Sequence, residues 1–284
     1  MLALASALAS TAGGDASAAS ACPSQGTLSG IVDRVNERLD IVLKDGRILH
    51  LAGLDPPQPT PDAPDFPARA RDALAAEFSG GKITYLSLSP TPDRWNRSPA
   101  FVFLAGRPRA ASASAASFLL AHGFARFMPV PEAHACRTRF LAAESEARTA
   151  KLGLWRDPYY AILAATNRAA FAERAATNVI VEGRLADVTS NRYRMTLDFA
   201  PRRERALTVT ILQRNVAIFD RSGLGFRALI GRTLRIRGLL DLRFGPQIEI
   251  ASADDVELIT DKQEQRGTAK QSKSGAVPPP MQHP

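Results

Sequence analysis

The sequence contains no apolar run that reaches the roughly 18 residues of a membrane-spanning helix, so no transmembrane helix is predicted. Acidic residues are too few to balance the basic ones. Against 36 Lys and Arg there are 28 Asp and Glu, and the net charge of +8 is a mild basic bias compatible with polyanion binding. A length of 284 residues with 45% hydrophobic content indicates a globular chain with room for one large or two small domains.

The N-terminal segment 1–21 lacks the positively charged start of a secretory signal. It does have a short apolar stretch at 2–8, followed by small residues such as Ala16-Ser17-Ala18, which resembles the end of such a signal. We therefore expect export to the periplasm or the exterior. The alternative is a disordered Ala/Ser-rich tail.

Cysteine is nearly absent, since only Cys22 and Cys136 occur. An even cysteine count behind a secretion-like segment predicts one disulfide, Cys22 to Cys136. The alternative is two unrelated thiols.

Residues 26–157 show the order of elements expected for a small barrel with packed helices. Apolar residues alternate through 26–42, and Asp45-Gly46 marks a hairpin turn into a return strand. Six prolines within 56–67 indicate a loop. The remaining predicted elements are a helix at 68–78, strands at 83–88 and 100–104, and helices at 112–122 and 133–152. This order predicts an OB-fold, in the α+β class.

The rest of the chain divides into three parts. Residues 158–177 are Ala-rich and predict a helical connector. Residues 178–260 predict three strands, a helix and two strands, which is the order of a second small OB-like β-barrel. Residues 261–284 have no apolar periodicity and predict a disordered tail.

Three segments of the first unit resemble the staphylococcal-nuclease-like (thermonuclease) family. Residues 50–58, HLAGLDPPQ, follow Asp45-Gly46-Arg47 and are similar to Arg-Leu-x-Gly-Ile-Asp-(Thr/Ala)-Pro-Glu. Residues 93–97, DRWNR, are similar to Asp-x-Tyr-Gly-Arg. The third segment combines HGFA at 122–125, AESEAR at 143–148 and GLW at 153–155. The order and spacing of these segments identify a thermonuclease-like domain.

The resemblance implies hydrolysis of DNA and RNA phosphodiesters with one Ca²⁺. In the family two carboxylates hold the metal, a Glu activates or positions water, and two arginines neutralise the transition state. By residue-for-residue matching, Asp55 corresponds to one metal carboxylate and Arg97 to the second phosphate-facing arginine.

Three other positions depart from the family. His50 replaces the first arginine, Gln58 replaces the glutamate, and Leu39 stands where the other metal carboxylate is expected. Asp40 is one residue out of register, and in a strand that slip turns a side chain to the opposite face unless a bulge re-aims it. Gln58 cannot accept a proton. We therefore predict an impaired catalytic site, with Ca²⁺ as cofactor only if the site works.

The same residues also have purely structural interpretations. Asp55 could cap the proline-rich turn that follows it, Arg97 could be an ordinary surface arginine, and His50 could be a packed barrel histidine. Trp95 could stack on a base or could simply anchor its loop.

The second unit carries thirteen arginines, no lysine and ten acidic residues. Such a composition could line a phosphate groove on an OB barrel, and the alternative is a solvated arginine-rich surface. The candidate nucleic-acid contacts are Trp95, Arg97, Arg192, Arg194, Arg235 and Arg237.

Three functions remain open from the sequence. The first is a nucleic-acid or polyanion-binding module of the cell envelope that does not cut. The second is a divergent Ca²⁺-dependent nuclease, and the third is an envelope structural or protein-interaction module. The altered positions favour the first and third, and the basic balance favours the first over the third.

Overall fold

The computed structural model describes residues 21–106, 114–201, 204 and 206–259. The secretion-like segment predicted at 1–21 lies outside the described residues except for its last position, and the tail predicted at 261–284 lies wholly outside them. In the described part of the chain, no helix is both long and apolar enough to cross a membrane.

The first barrel and its surroundings contain the strands β1 (Leu28–Val35), β2 (Ile41–Leu43), β3 (Ile48–Leu51), β4 (Leu54–Asp55), β5 (Lys82–Ser87), β6 (Arg97–Leu104) and β7 (Arg126–Phe127). Five of them close into a barrel in the order β1-β2-β3-β6-β5. Strands β3 and β6 are parallel and the other neighbours are antiparallel. A separate two-stranded ribbon pairs β4 with β7.

Three helices pack on this barrel: α1 (Phe66–Phe78), α2 (Ala115–Ala121) and α3 (Arg137–Thr149). Helix α1 has proline in its first turn, where no intrahelical N–H is needed, and buries residues spaced four apart. The helix predicted at 133–152 begins instead with a 3₁₀ segment, Pro131–Cys136, before α3. A barrel with packed helices is therefore observed, as the strand pattern predicted.

The second barrel is built from β8 (Leu163–Ala164), β9 (Asn178–Arg184), β10 (Asp187–Ser190), β11 (Arg194–Asp198), β12 (Thr208–Leu212), β13 (Thr233–Asp241), β14 (Gln247–Glu249) and β15 (Val256–Leu258). Helices α4 (Arg168–Ala172) and α5 (Gln213–Arg221) follow β8 and β12 respectively. The strand order is β10-β11-β12-β14-β13-β9-β8, with β15 also paired to β13, and the pairs β12–β14 and β8–β9 are parallel. The part of this order from β10 to β9 follows the plan of the first barrel, and its parallel pair β12–β14 corresponds to β3–β6.

In the second sheet, β9 and β10 are consecutive in the chain and are separated only by Leu185 and Ala186. Between the two strands, the Leu185 N–H donates to Arg232 O at 2.9 Å on the β13 side. The next residue, Ala186, donates to Asp198 O at 2.8 Å on the β11 side. The chain therefore pairs with β13 through β9 and with β11 through β10.

The segment 158–177, predicted as a helical connector, contains a short strand as well as helix. Its residues form β8, which pairs in parallel with β9, as well as the short helix α4. Leu163 and Phe171 are buried in the core of the second barrel. The connector is apolar at those positions because it completes that core.

The predicted disulfide is confirmed, since Cys22 and Cys136 are joined. Cys136 is buried at the start of α3, beside the aromatic cluster under that helix. The bond ties the beginning of the described chain to a residue 114 positions away. Closing a loop of this length contributes about 4–5 kcal/mol in the chain-entropy description.

Candidate functional site

The turn between β1 and β2 decides where Asp40 points. The Asn36 Oδ1 accepts backbone hydrogen bonds from Arg38 and Asp40, each at 2.9 Å. Leu39 lies in the left-handed region, with φ of 62°, and its side chain is buried in the barrel core. The expectation that register would turn Asp40 away from the site is wrong, because residues 36–40 form a turn and not a strand.

Asp40 is fully buried and meets three side chains of the site. His50 Nδ1 lies 2.7 Å from Asp40 Oδ1, and Asn36 Nδ2 donates to Asp40 Oδ2 at 3.1 Å. Arg97 Nη1 is 3.7 Å from Asp40 Oδ2. His50 and Arg97 are brought together because β3 and β6 are adjacent parallel strands. The side chains of His50 and Arg97 therefore both lie against the carboxylate of Asp40.

The loop before β6 orients Arg97 and Trp95. Asp93 accepts from Arg97 Nε at 3.0 Å and from Arg97 Nη2 at 2.8 Å. Desolvation acts to raise the pKa of Asp93, but the hydrogen bonds from Arg97 and Trp95 outweigh it and lower the pKa. Trp95 is half exposed, and the guanidinium groups of Arg94 and Arg97 both lie over its ring.

These residues border an open groove of about 400 Å³ on the first barrel. The groove is lined by Asn36, Glu37, Arg38, Asp40, Ile48, Trp95 and Arg97. We call it the Trp95 groove.

Asp55 is engaged elsewhere. Its Oδ2 accepts from Arg126 Nε at 3.1 Å and from Arg126 Nη2 at 2.6 Å, while its Oδ1 accepts from Asn178 Nδ2 at 2.8 Å. Arg126 also donates to the Asn178 carbonyl at 2.7 Å. Because Asn178 begins β9, this carboxylate connects the two barrels. Asp55 is neither a cap of the proline-rich turn nor a member of the Asp40 cluster.

Gln58 has an exposed side chain, and its hydrogen bonds to Tyr160 are made by the backbone. Tyr160 Oη accepts from the Gln58 N–H at 2.6 Å and donates to the Gln58 carbonyl at 2.9 Å. Burial raises the pKa of Tyr160 to about 12, so the phenol stays protonated as this contact requires. Gln58 thus helps to fix the proline-rich loop.

The donor set does not fit the Ca²⁺ that the family resemblance implies. Among the described residues, no group of three or more His, Cys, Asp or Glu side chains is arranged to hold a metal. Asp55 already faces a guanidinium, and Asp40 is shared by His50 and Arg97. Calcium takes about 6–8 oxygen ligands.

Arg237, predicted to contact nucleic acid, is 1% exposed and lies between the barrels. Its Nη2 is 2.5 Å from Glu144 Oε2 and 2.9 Å from Glu257 Oε1, and its Nη1 donates to the Phe127 carbonyl at 3.0 Å. Burial acts to lower the pKa of Arg237, but the carboxylates of Glu144 and Glu257 outweigh it and raise the pKa. The prediction for Arg237 is therefore wrong.

Arg235 is also largely committed to protein carboxylates. Its guanidinium pairs with Glu182 at 2.8 Å and with Glu257 at 3.4 Å, and its side chain is 11% exposed. Its guanidinium is therefore not free to contact a phosphate. The exposed Arg192 and Arg194 remain at the tip of the β10–β11 hairpin.

Sequence reasoning missed Arg126, Asn178 and Glu257. Nothing in the local sequence pattern marks them. Arg126 and Asn178, for example, lie 71 and 123 residues away from their partner Asp55. Glu144 carries a signal as part of the AESEAR segment, although an ordinary helix pair with Arg148 is the simplest interpretation of that spacing. In the structure Glu144 is fully buried and also accepts from the Phe127 N–H at 2.9 Å.

The comparison with known families agrees with this architecture. Residues 48–157 match the family model described as staphylococcal nuclease homologue. No curated protein matches the chain.

Proposed function

The first barrel of this chain is a staphylococcal-nuclease-like domain, and from that premise we propose that the protein binds single-stranded nucleic acid or a related polyanion without the calcium-dependent hydrolysis of the family. The observation that carries the proposal is the commitment of Asp55 to Arg126 and Asn178. The Arg126 guanidinium and the Asn178 amide take both oxygens of the carboxylate that the resemblance assigns to the metal.

Other altered residues also argue against calcium-dependent hydrolysis. Leu39 offers no ligand in any protonation state, and it is buried in the barrel core. Gln58 cannot accept a proton from water. General acid–base catalysis is worth about 10²–10⁴-fold, and one electrostatic stabiliser is worth a similar factor. Since several parts of the family mechanism are altered together, we expect no hydrolysis by the calcium route.

Binding is supported by exposed aromatic side chains that directly follow arginines. Trp95, Tyr193 and Phe244 are 49%, 61% and 90% exposed. Arg94 stacks on Trp95 and Arg192 stacks on Tyr193. An aromatic ring beside a guanidinium can stack on a base while the cation meets a phosphate.

The proposed location is the cell envelope or the exterior. The supporting observation is the Cys22–Cys136 bond, since structural disulfides persist in oxidising compartments. Isolation of the protein from a fractionated host, followed by thiol labelling before and after reduction, tests this part. Labelling without prior reduction would contradict it.

The binding proposal is tested by fluorescence anisotropy with a labelled single-stranded oligonucleotide in EDTA, over a range of salt. We expect Trp95→Ala and Tyr193→Ala each to weaken binding by about 5- to 150-fold, because stacking contributes about 1–3 kcal/mol per base. Leu239→Ala is the matched control, since Leu239 is a large exposed apolar residue without an adjacent arginine.

The salt dependence is a second arm. Affinity should fall steeply with salt, because each neutralised phosphate releases counterions. Binding that ignores salt and survives both aromatic substitutions would contradict the proposal. Robust degradation of a plasmid that requires Ca²⁺ and stops with EDTA would replace it with the nuclease function.

A further inference from the structure

The Asp40–His50 pair has the geometry of an oriented acid–base group. The Nδ1 of His50 lies 2.7 Å from a carboxylate oxygen that is itself fully buried. A carboxylate in this position fixes the tautomer in which Nδ1 carries the proton, and leaves Nε2 as a base. The His50 side chain is one-third exposed, and within the described residues no hydrogen-bond partner of Nε2 is seen.

Asp40 lines the Trp95 groove, and His50, which is outside the lining, is next to the groove through its contact with Asp40. His50 lies two residues after Ile48 on β3, so both side chains share one face of the strand, and Ile48 lines the groove. Asp40 and Arg97 also line it. Arg38, at the same groove, has an exposed side chain with no hydrogen-bond or ion-pair partner among the described residues. Asp40, the exposed guanidinium of Arg38 and the Trp95 ring therefore lie at one groove, and His50 contacts it through Asp40.

We propose that His50 acts as a metal-independent acid–base catalyst that cleaves single-stranded RNA at this groove, with Asp40 as its positioning residue. This rests on the proposed binding of single strands, and replaces the calcium route with a different reaction. Arg38 would meet the phosphate oxygens, and Trp95 would stack on a neighbouring base, while Arg97 stays paired with Asp93.

The step balances without a co-reactant. His50 Nε2 takes the proton of the ribose 2′-hydroxyl, and the 2′-oxygen forms a bond to phosphorus. The bond from phosphorus to the 5′-oxygen breaks, and the proton that His50 Nε2 took is given to this leaving oxygen. The products are a 2′,3′-cyclic phosphate and a 5′-hydroxyl. No metal-activated water is needed, because the nucleophile belongs to the substrate and is held next to the phosphorus.

The substrate class follows from this chemistry. DNA lacks the 2′-hydroxyl, so it can bind the groove but cannot react by this route. RNA with 2′-O-methyl groups has the nucleophile blocked. Both are therefore binding-competent controls that separate recognition from cleavage.

The experiment incubates the disulfide-bonded, full-length protein with a labelled oligoribonucleotide in EDTA. The matching DNA and 2′-O-methyl strands run in parallel, and products are identified by mass spectrometry. We expect cyclic-phosphate products from RNA alone. His50→Asn keeps an amide that can donate to Asp40, and should lower the rate by about 10²–10⁴-fold.

Three further variants define the roles. His50→Ala should regain activity when free imidazole is added, which a purely structural histidine would not permit. Asp40→Asn should lower the rate while leaving binding of the 2′-O-methyl strand unchanged. His122→Ala is the control, because His122 is an exposed histidine at the end of α2, outside the groove lining.

The outcomes separate this inference from the proposed function. Tight binding of the 2′-O-methyl strand with no RNA cleavage above buffer overturns the inference alone. Equal activity in His50→Asn and the unaltered protein also overturns it, as does cleavage of the DNA strand. Failure to bind any strand overturns the proposed function as well.

Discussion

Replacing Arg237 by methionine should destabilise the protein more than any surface substitution. Methionine is apolar and fills much of the same volume as arginine. The main effect of the substitution is therefore that Glu144 and Glu257 lose the positive charge that compensates them. Glu144 is 0% exposed. After the substitution it would still accept the hydrogen bond from the Phe127 N–H, and the remaining nearby cation would be Arg148, at 3.6 Å. Breaking a buried ion pair from one side typically costs about 3–5 kcal/mol, because the other charge is left without its partner.

The magnitude follows from the geometry of the pair. Arg237 makes two hydrogen bonds to Glu144, at 3.0 and 2.5 Å, and two to Glu257, at 3.1 and 2.9 Å. Glu257 keeps Arg235 after the substitution, so Glu144 carries most of the cost. We expect a loss near the lower end of the range, about 3 kcal/mol, out of the roughly 5–15 kcal/mol usual for a domain.

The assay is urea denaturation of the oxidised protein, followed by far-ultraviolet circular dichroism. Urea is used because an ionic denaturant would screen the charges. Arg243→Met is the matched control: Arg243 pairs with Asp241 but its side chain is 79% exposed, so its loss should leave the unfolding midpoint nearly unchanged. Adding Glu144→Gln to Arg237→Met should recover part of the stability. Equal losses in Arg237→Met and Arg243→Met would refute the reasoning.

Two more predictions follow from the site and its surroundings. Millimolar Ca²⁺ should leave the melting temperature unchanged, since a ligand that binds only the native state must raise it; a clear rise that Asp55→Asn abolishes would restore the metal site. Burial raises the pKa of Asp255 from 3.8 to about 6, so the native state binds this proton more tightly than the unfolded state. The free energy of unfolding should therefore fall as pH rises from about 4 to about 6, and Asp255 should account for up to about 3 kcal/mol of this fall. Asp255→Asn should flatten the dependence of stability on pH in this range. An unchanged dependence would show that Asp255 is not the group responsible.

Much of the architecture could be predicted from local pattern. The Asp45-Gly46 turn between two apolar strands predicts a hairpin, and β2 and β3 form it. The strand–helix–strand order of 178–260 predicts a barrel plan like that of the first unit, and the path β10-β11-β12-β14-β13-β9 in the second sheet follows the order of the first, with β8 and β15 added. The pairing of Cys22 with Cys136 follows from there being only two cysteines. These features can be predicted because hydrophobic periodicity and turn residues act over short stretches of sequence. The disulfide can be predicted from the number of cysteines without knowing their positions in space.

The roles of individual charged residues were decided only by the tertiary structure. Asp55 lies in a recognisable motif, yet its partners are an arginine on β7 and an asparagine at the start of the second barrel. Arg237 reads as one more arginine on a strand, but the packing of two barrels buries it against Glu144. Asp40 reaches the site because a left-handed residue redirects the turn before it. A carboxylate or guanidinium takes its function from whichever opposite charge the fold brings within about 3 Å, and that partner is set by long-range packing.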